Sequence, residues 1–194
     1  MVTKSNFSKG YTIIEILVAV GIFTMIIAAP TGFLVGSLKG QQRALSSQEL
    51  VDSVSYTLEY MSRALRMAKK DLTGACIEKG SNYENPTNDI SKIRFLNYKG
   101  YCQEFSVSDA QLKERKSTDG SEENLGEFFP LTSNDLEVEL VRFQLSGQSQ
   151  DDDLQPRITL FLKVKGARGQ KPELQPEIKI QTTISQRNLD VVYY

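Results

Sequence analysis

The chain has 194 residues, which is enough for one folded domain and one additional segment. Its 23 basic and 24 acidic residues give a formal net charge of −1, without the basic excess typical of nucleic-acid-binding proteins, so nucleic acid is not an expected partner. The chain contains no His, the side chain best suited to acid–base chemistry near neutral pH and the commonest ligand of transition metals. We therefore expect no catalytic site, no cofactor and no metal centre.

The N-terminal part of the chain is a short basic segment followed by an apolar one. Lys4 and Lys9 are the only charges in residues 1–10, and an apolar stretch runs from Tyr11 to Leu38. About 20 apolar residues are enough for a helix to cross a bilayer, so we predict a membrane-spanning helix over residues 11–38. Because positive charges favour the cytoplasmic side, the sequence predicts a single pass through the cytoplasmic membrane, with the body outside.

Glu15 is the one charged residue inside this apolar segment, between Lys9 and Lys39. A charge well inside a membrane helix costs about 2.5–3.5 kcal/mol on insertion scales, although a position near the end of the segment lowers that cost. Ionisable residues in membrane segments are functional candidates by default. Glu15 is therefore the first candidate site residue.

The segment Lys9-Gly10-Tyr11-Thr12-Ile13-Ile14-Glu15 resembles the processing site of type IV prepilins and pseudopilins. The resemblance implies that residues 1–10 are a leader, that prepilin peptidase cuts after Gly10 and methylates the new N-terminus at Tyr11, and that Glu15 serves filament assembly. It also implies the partners: the peptidase and methyltransferase, other pilin or pseudopilin subunits, an inner-membrane assembly platform, and membrane lipid before assembly. The large, polar body is most like that of a minor pseudopilin of a type II secretion or type IV pilus system.

Two other interpretations of the N-terminus remain open. The chain could keep its leader and act as a membrane-tethered binding module that never polymerises. Alternatively, Ala28-Ala29 could mark the cleavage site of a conventional signal peptide, although Pro30 follows that bond directly. In each case the sequence has no Walker loop, HExxH or GxSxG motif, so we do not expect an enzyme.

An amphipathic helix is predicted over residues 39–70. Apolar residues recur there at alternating spacings of three and four, which places them on one helical face. These residues are Val51, Val54, Leu58, Met61, Leu65 and Ala68. Pro30, farther upstream, is expected to kink or locally unwind the helix.

The remaining residues, 71–194, are predicted to form a β-rich body outside the cytoplasm. Strands are expected over residues 93–98 and 101–108, joined by a tight turn at Lys99-Gly100, and over 136–145, 158–164 and 178–184. The first of the last three changes phase at Leu140-Val141, and residues 109–127 are predicted to be a mobile charged loop. The fold class is therefore α+β: a type IV pilin-like long helix packed on an antiparallel sheet.

Two further sets of residues are candidates for covalent or ionic links. Cys76 and Cys102 are expected to form a disulfide if the body is extracytoplasmic; the alternative is two separate buried thiols. Asp151, Asp152 and Asp153 are a weak candidate for calcium, because three adjacent carboxylates do not by themselves supply the six to eight oxygens of a calcium site.

Overall fold

The computed structural model describes residues 10–148, 154–166 and 175–187. Its first element is a single helix, α1 (Ile13–Arg66), of 54 residues. The helix is unbroken at Pro30, so the local unwinding predicted there does not occur. The chain divides into two compact units, Met1–Gln42 and Arg43–Tyr194.

The N-terminal unit contains the apolar part of α1. Every side chain described between Ile13 and Leu38 is exposed, including Phe23 at 62% and Phe33 at 79%. By length and composition this helix is able to cross a membrane, as the sequence predicts.

The second half of α1 supplies one wall of the core in the larger unit. Leu50, Val54, Met61 and Leu65 are each at most 2% exposed, whereas Val51, predicted to face the core, is 43% exposed. The buried stripe thus begins one residue earlier than predicted.

The helix also ends at Arg66 rather than near residue 70, because other parts of the chain bind the backbone there. The Lys69 N–H donates to the Leu96 carbonyl (2.8 Å), the Arg187 N–H donates to the Arg66 carbonyl (2.7 Å), and the Gln186 Nε2 donates to the Ala68 carbonyl (2.8 Å). These bonds replace the helical pattern and satisfy carbonyls that a helix C-terminus leaves without partners.

The first antiparallel sheet has the strand order β1-β2-β3-β4. Its strands are β1 (Ile93–Leu96), β2 (Cys102–Ser108), β3 (Gln111–Lys116) and β4 (Phe129–Pro130). The turn between β1 and β2 contains the predicted Lys99-Gly100, and Gly100 adopts a φ of 87°, which favours glycine.

The prediction of an irregular loop over residues 109–127 is wrong, because β3 lies within it. This strand has only one large apolar residue, Leu112, which is 1% exposed. All six of its residues pair with β2, and its Arg115 forms an ion pair with Glu104 of β2. The strand is therefore held by cross-strand hydrogen bonds and charges, which leave no apolar alternation in the sequence.

The second antiparallel sheet consists of β5 (Glu137–Ser146), β6 (Arg157–Lys165) and β7 (Glu177–Ser185), in that order. Each strand was predicted to within a residue or two of its ends. The register between β5 and β6 shifts between Val138 and Leu140, next to the predicted change of phase at Leu140-Val141.

The core of the larger unit lies between α1 and both sheets. Its largest fully buried side chains include Met61 and Leu65 from the helix, Phe95 and Phe105 from the first sheet, and Phe143 from the second. The α+β class with antiparallel strands is thus confirmed, although the strands form two sheets where the sequence predicted one.

Candidate functional site

The predicted processing site lies just before the start of α1. Gly10 and Tyr11 are exposed and not helical, and the side chain of Tyr11 is 80% exposed. A Cβ added at Gly10 would meet no atom within 4 Å. The bond between these two residues is therefore accessible and lies outside the helix, as a peptidase that binds its substrate in extended form requires.

Thr12 caps the N-terminus of the helix. The backbone N–H of Glu15 donates to the Thr12 carbonyl (3.1 Å) and to its Oγ1 (3.3 Å). A Thr followed three residues later by Glu is the sequence pattern of a capping box. The helix thus starts two residues after Tyr11, close to the predicted cleavage site.

Glu15 is the only acidic residue in the first turn of α1, and it borders a shallow depression on the helix surface. The other residues around this depression are Tyr11, Ile16, Ala19, Val20 and Phe23. Among the residues that the structure describes, no cation forms an ion pair with Glu15. A carboxylate in an exposed apolar segment therefore needs a partner from another molecule or an aqueous boundary.

Cys76 and Cys102 are joined by a disulfide, with their Cα atoms 5.3 Å apart. Both residues are at most 1% exposed and pack with Ile77, Leu96 and Leu125. The bond ties the irregular segment after α1 to the first residue of β2.

Asp71 organises the same irregular segment. Its carboxylate accepts hydrogen bonds from the backbone N–H groups of Thr73, Gly74, Cys76 and Ile77, at 2.9–3.2 Å, and from the Thr73 hydroxyl at 2.7 Å. Burial of this 1%-exposed residue would by itself raise the pKa of its carboxyl, but the hydrogen bonds from Cys76, Thr73 and Ile77 outweigh burial and lower the pKa to about 2. Asp71 is therefore ionised at neutral pH and is an electrostatic anchor for the segment that holds Cys76.

A ladder of charges crosses the first sheet. Glu104 of β2 faces Arg94 of β1 and Arg115 of β3, with nitrogen–oxygen distances of 2.8 and 3.0 Å. Glu104 and Arg94 have side chains that are 1% and 6% exposed, and Glu122 forms a second ion pair with Arg94. Because each buried charge has an opposite partner, the ladder is a structural network that fixes the pairing of three strands.

A groove of the body lies between the end of α1 and the turn that joins β1 to β2. It has a volume of about 670 Å³. Tyr60 lies at its base, where its hydroxyl donates to Glu114 (2.7 Å) and accepts from the Lys116 ammonium (2.8 Å). Burial raises the pKa of Tyr60, so that hydroxyl remains protonated.

The disulfide between the two cysteines was predicted from the sequence, whereas Asp71, the charge ladder and the groove were not. The processing site stays a prediction. Only Asp71 left a local signal, since Asp-Leu-Thr-Gly over residues 71–74 is a turn-forming pattern. The calcium candidates Asp151–Asp153 lie outside the described residues. Within residues 10–148, 154–166 and 175–187, no three Cys, Asp or Glu side chains are grouped so that they could hold a metal ion.

Comparisons with protein-family models, with curated proteins and with solved structures found no match to this chain.

Proposed function

We propose that the chain is a structural subunit of a type IV pilus-like filament or of a type II secretion pseudopilus, with a type IV pilin-like fold. The observation that carries the proposal is Glu15, a carboxylate without a cation among the described residues. It lies four positions after Tyr11, in the part of α1 up to Leu38 whose described apolar side chains are all exposed. Neighbouring subunits would cover the exposed apolar surface, and they would also supply a positive charge to Glu15.

Cleavage would create that positive charge. A cut after Gly10 removes Lys4 and Lys9, changes the formal charge from −1 to −1 − 2 = −3, and leaves a new ammonium group on Tyr11. At about 4 Å and an effective dielectric constant of about 20, this ammonium and Glu15 of a neighbour attract each other by roughly 4 kcal/mol before desolvation. The attraction requires neighbouring helices to stack in one register, so it would select the filament geometry.

In this proposal the body lies outside the cytoplasm, and the chain is inserted in the cytoplasmic membrane before assembly. The Cys76–Cys102 disulfide supports that side of the membrane, because disulfides persist in oxidising compartments and are rare in the cytoplasm. The size of the body favours a minor subunit, whose role is structural rather than enzymatic.

The first test is cleavage. The full chain is expressed with and without a prepilin peptidase, and its intact mass is measured. We expect loss of residues 1–10 and one added methyl group on Tyr11. The change Gly10→Leu should block cleavage, whereas Gly21→Leu should not, although a Cβ at either glycine meets open space. An uncut chain beside an active peptidase would refute processing, and a cut near Ala29 would indicate a secreted protein.

The second test separates a filament subunit from a membrane-tethered binding module. Glu15→Gln should abolish entry into filaments, measured by co-purification and cross-linking with other subunits, and should leave membrane insertion unchanged. Thr24→Val is the matched control, because Thr24 is also an exposed polar residue of the same apolar segment. If neither the wild type nor Glu15→Gln is captured with other subunits while both insert into the membrane, the tether would be favoured. Equal entry of both forms into filaments would remove the assembly role of Glu15.

A further inference from the structure

We propose that the groove between α1 and the β1–β2 turn binds an extended acidic segment of a partner protein. This role is additional to the proposed filament role, because the groove lies entirely within the Arg43–Tyr194 unit and contains none of the residues of the processing or assembly motif.

The groove has an aromatic and apolar surface. Tyr60, Ala64 and Met67 line the helix side, and Tyr98 and Tyr101 line the turn side. Tyr98 is 51% exposed and Tyr101 is 39% exposed, so both rings are available to a partner. Tyr, Met and Arg are enriched in protein–protein interfaces, and a volume of about 670 Å³ is within the usual range of ligand clefts, about 300–1,000 Å³.

The charge of the groove selects an acidic partner. Arg63, Lys99 and Lys116 line it, and among the described residues none of its lining side chains is a carboxylate. Lys99 forms no ion pair with a described residue and lies 5.7 Å from the centre of the Tyr98 ring. A carboxylate that approached Lys99 would therefore meet a positive charge beside the Tyr98 ring.

The base of the groove is already ordered. Glu114 accepts hydrogen bonds from the Tyr60 hydroxyl (2.7 Å), from the Gln103 Nε2 (3.1 Å) and from the Lys116 ammonium (3.1 Å). These bonds hold Tyr60 in place without any ligand. This chain would then lose less conformational freedom when a partner binds, which favours affinity.

The same charges disfavour nucleic acid as the occupant. Arg63 is paired with Glu59 at 2.6 Å, and Lys116 is paired with Glu114. Of the three cations that line the groove, Lys99 alone forms no ion pair with a described residue. Binding of nucleic acid relies on neutralising several phosphates at once. One free cation with partly neutralised neighbours instead matches a segment that alternates carboxylates with aromatic or apolar side chains.

The test uses the full chain in nonionic detergent micelles and fluorescence anisotropy. The probe is a fluorescein-labelled peptide in which Asp alternates with Tyr and Leu, and the matched probe has Asn in place of every Asp. We expect the acidic probe to bind at least about tenfold more tightly, because the Asn probe cannot form a charge-assisted hydrogen bond with Lys99. Its affinity should fall as salt rises.

Three variants locate the binding. Lys99→Glu and Tyr98→Ala should each weaken the acidic probe about tenfold or more, because the first reverses the free charge and the second removes a stacking surface. Arg157→Glu makes the same type of charge change at an exposed position at the start of β6, outside the groove, and should alter affinity less than about twofold. Circular dichroism before each titration verifies that the variants are folded.

Several results would overturn the proposal. Equal affinity for the acidic and Asn probes would remove the charge argument, and absence of binding to either would remove the site. Equal weakening by Arg157→Glu would show a general charge effect. If a fluorescein-labelled oligothymidine binds more tightly than the acidic peptide, nucleic acid would be the occupant of the groove. If no peptide binds and Lys99→Glu loses self-association, the occupant would be a second copy of this chain.

Discussion

Replacing Asp71 with Asn should change how the stability of the body depends on pH. In the folded chain the pKa of the Asp71 carboxyl is about 2, below its usual value of 3.8, because the hydrogen bonds to its charged form outweigh the cost of burial. A carboxyl with a lowered pKa stabilises the fold at pH values above 3.8, and this contribution is lost as the pH falls from 3.8 to about 2. The difference between the two pKa values corresponds to about 2 kcal/mol.

The assay is urea unfolding of the full, oxidised chain in nonionic micelles, followed by circular dichroism at several pH values between about 6 and 2. Near pH 6, Asp71→Asn should be less stable than the wild type, and the difference in free energy of unfolding should shrink by about 2 kcal/mol towards pH 2. The other carboxyls titrate in both proteins, so the change in the difference isolates Asp71.

The matched control is Asp52→Asn, on an exposed face of α1, where the carboxylate accepts no hydrogen bond from a described residue. Its difference from the wild type should remain nearly constant with pH. If Asp71→Asn and the wild type instead lost stability in parallel over the same pH range, the hydrogen-bonded carboxylate would not be the anchor that we describe.

Three other changes test the packing and the cross-links by the same unfolding assay. Leu50→Ala should lower the free energy of unfolding by about 2–5 kcal/mol, because Leu50 is 2% exposed. Leu45 lies on the same helix and is 66% exposed, so Leu45→Ala should lower it by less than about 0.5 kcal/mol. Similar losses for the two variants would contradict the assigned core face. Glu104→Gln should cost about 3–5 kcal/mol, because it removes the buried carboxylate shared by Arg94 and Arg115 and leaves Arg94 with the exposed Glu122. Glu59→Gln, in an exposed pair, should cost less than about 1 kcal/mol, and a neutral Glu104→Gln would show that the ladder is dispensable. Replacing both cysteines with Ser should cost about 3 kcal/mol, as expected for a link across 26 positions, and an unchanged midpoint would show that other contacts already fix the segment.

Apolar periodicity predicted most of the elements of the body. Strands β6 and β7 alternate apolar and polar residues and pair without interruption, and β5 alternates on each side of its register shift between Val138 and Leu140. The second half of α1 was likewise visible in the spacing of apolar residues, with an error of one residue at Val51. These are the elements whose stability depends on burying one face.

Periodicity failed where charges or distant partners decide the structure. Strand β3 depends on the pairing of Arg115 with Glu104, and the sequence does not specify which residues of separate strands will face each other. The groove beside Tyr60 could not be predicted for the same reason, because its walls are brought together only by the packing of α1 on the first sheet. The processing site at Gly10-Tyr11 was predicted from adjacent residues alone, and it stays a prediction.

The end of α1 has a consequence for the order in which the parts of the body fold. The Ala68 and Arg66 carbonyls are capped by Gln186 and Arg187, which lie 118 and 121 positions farther along the chain. A cap of such high contact order can form only after the intervening strands have paired, and closing so large a loop early is entropically costly. A body that has not yet emerged past residue 187 therefore lacks a closed helix end. Completion of this end of the fold therefore requires the chain through residue 187.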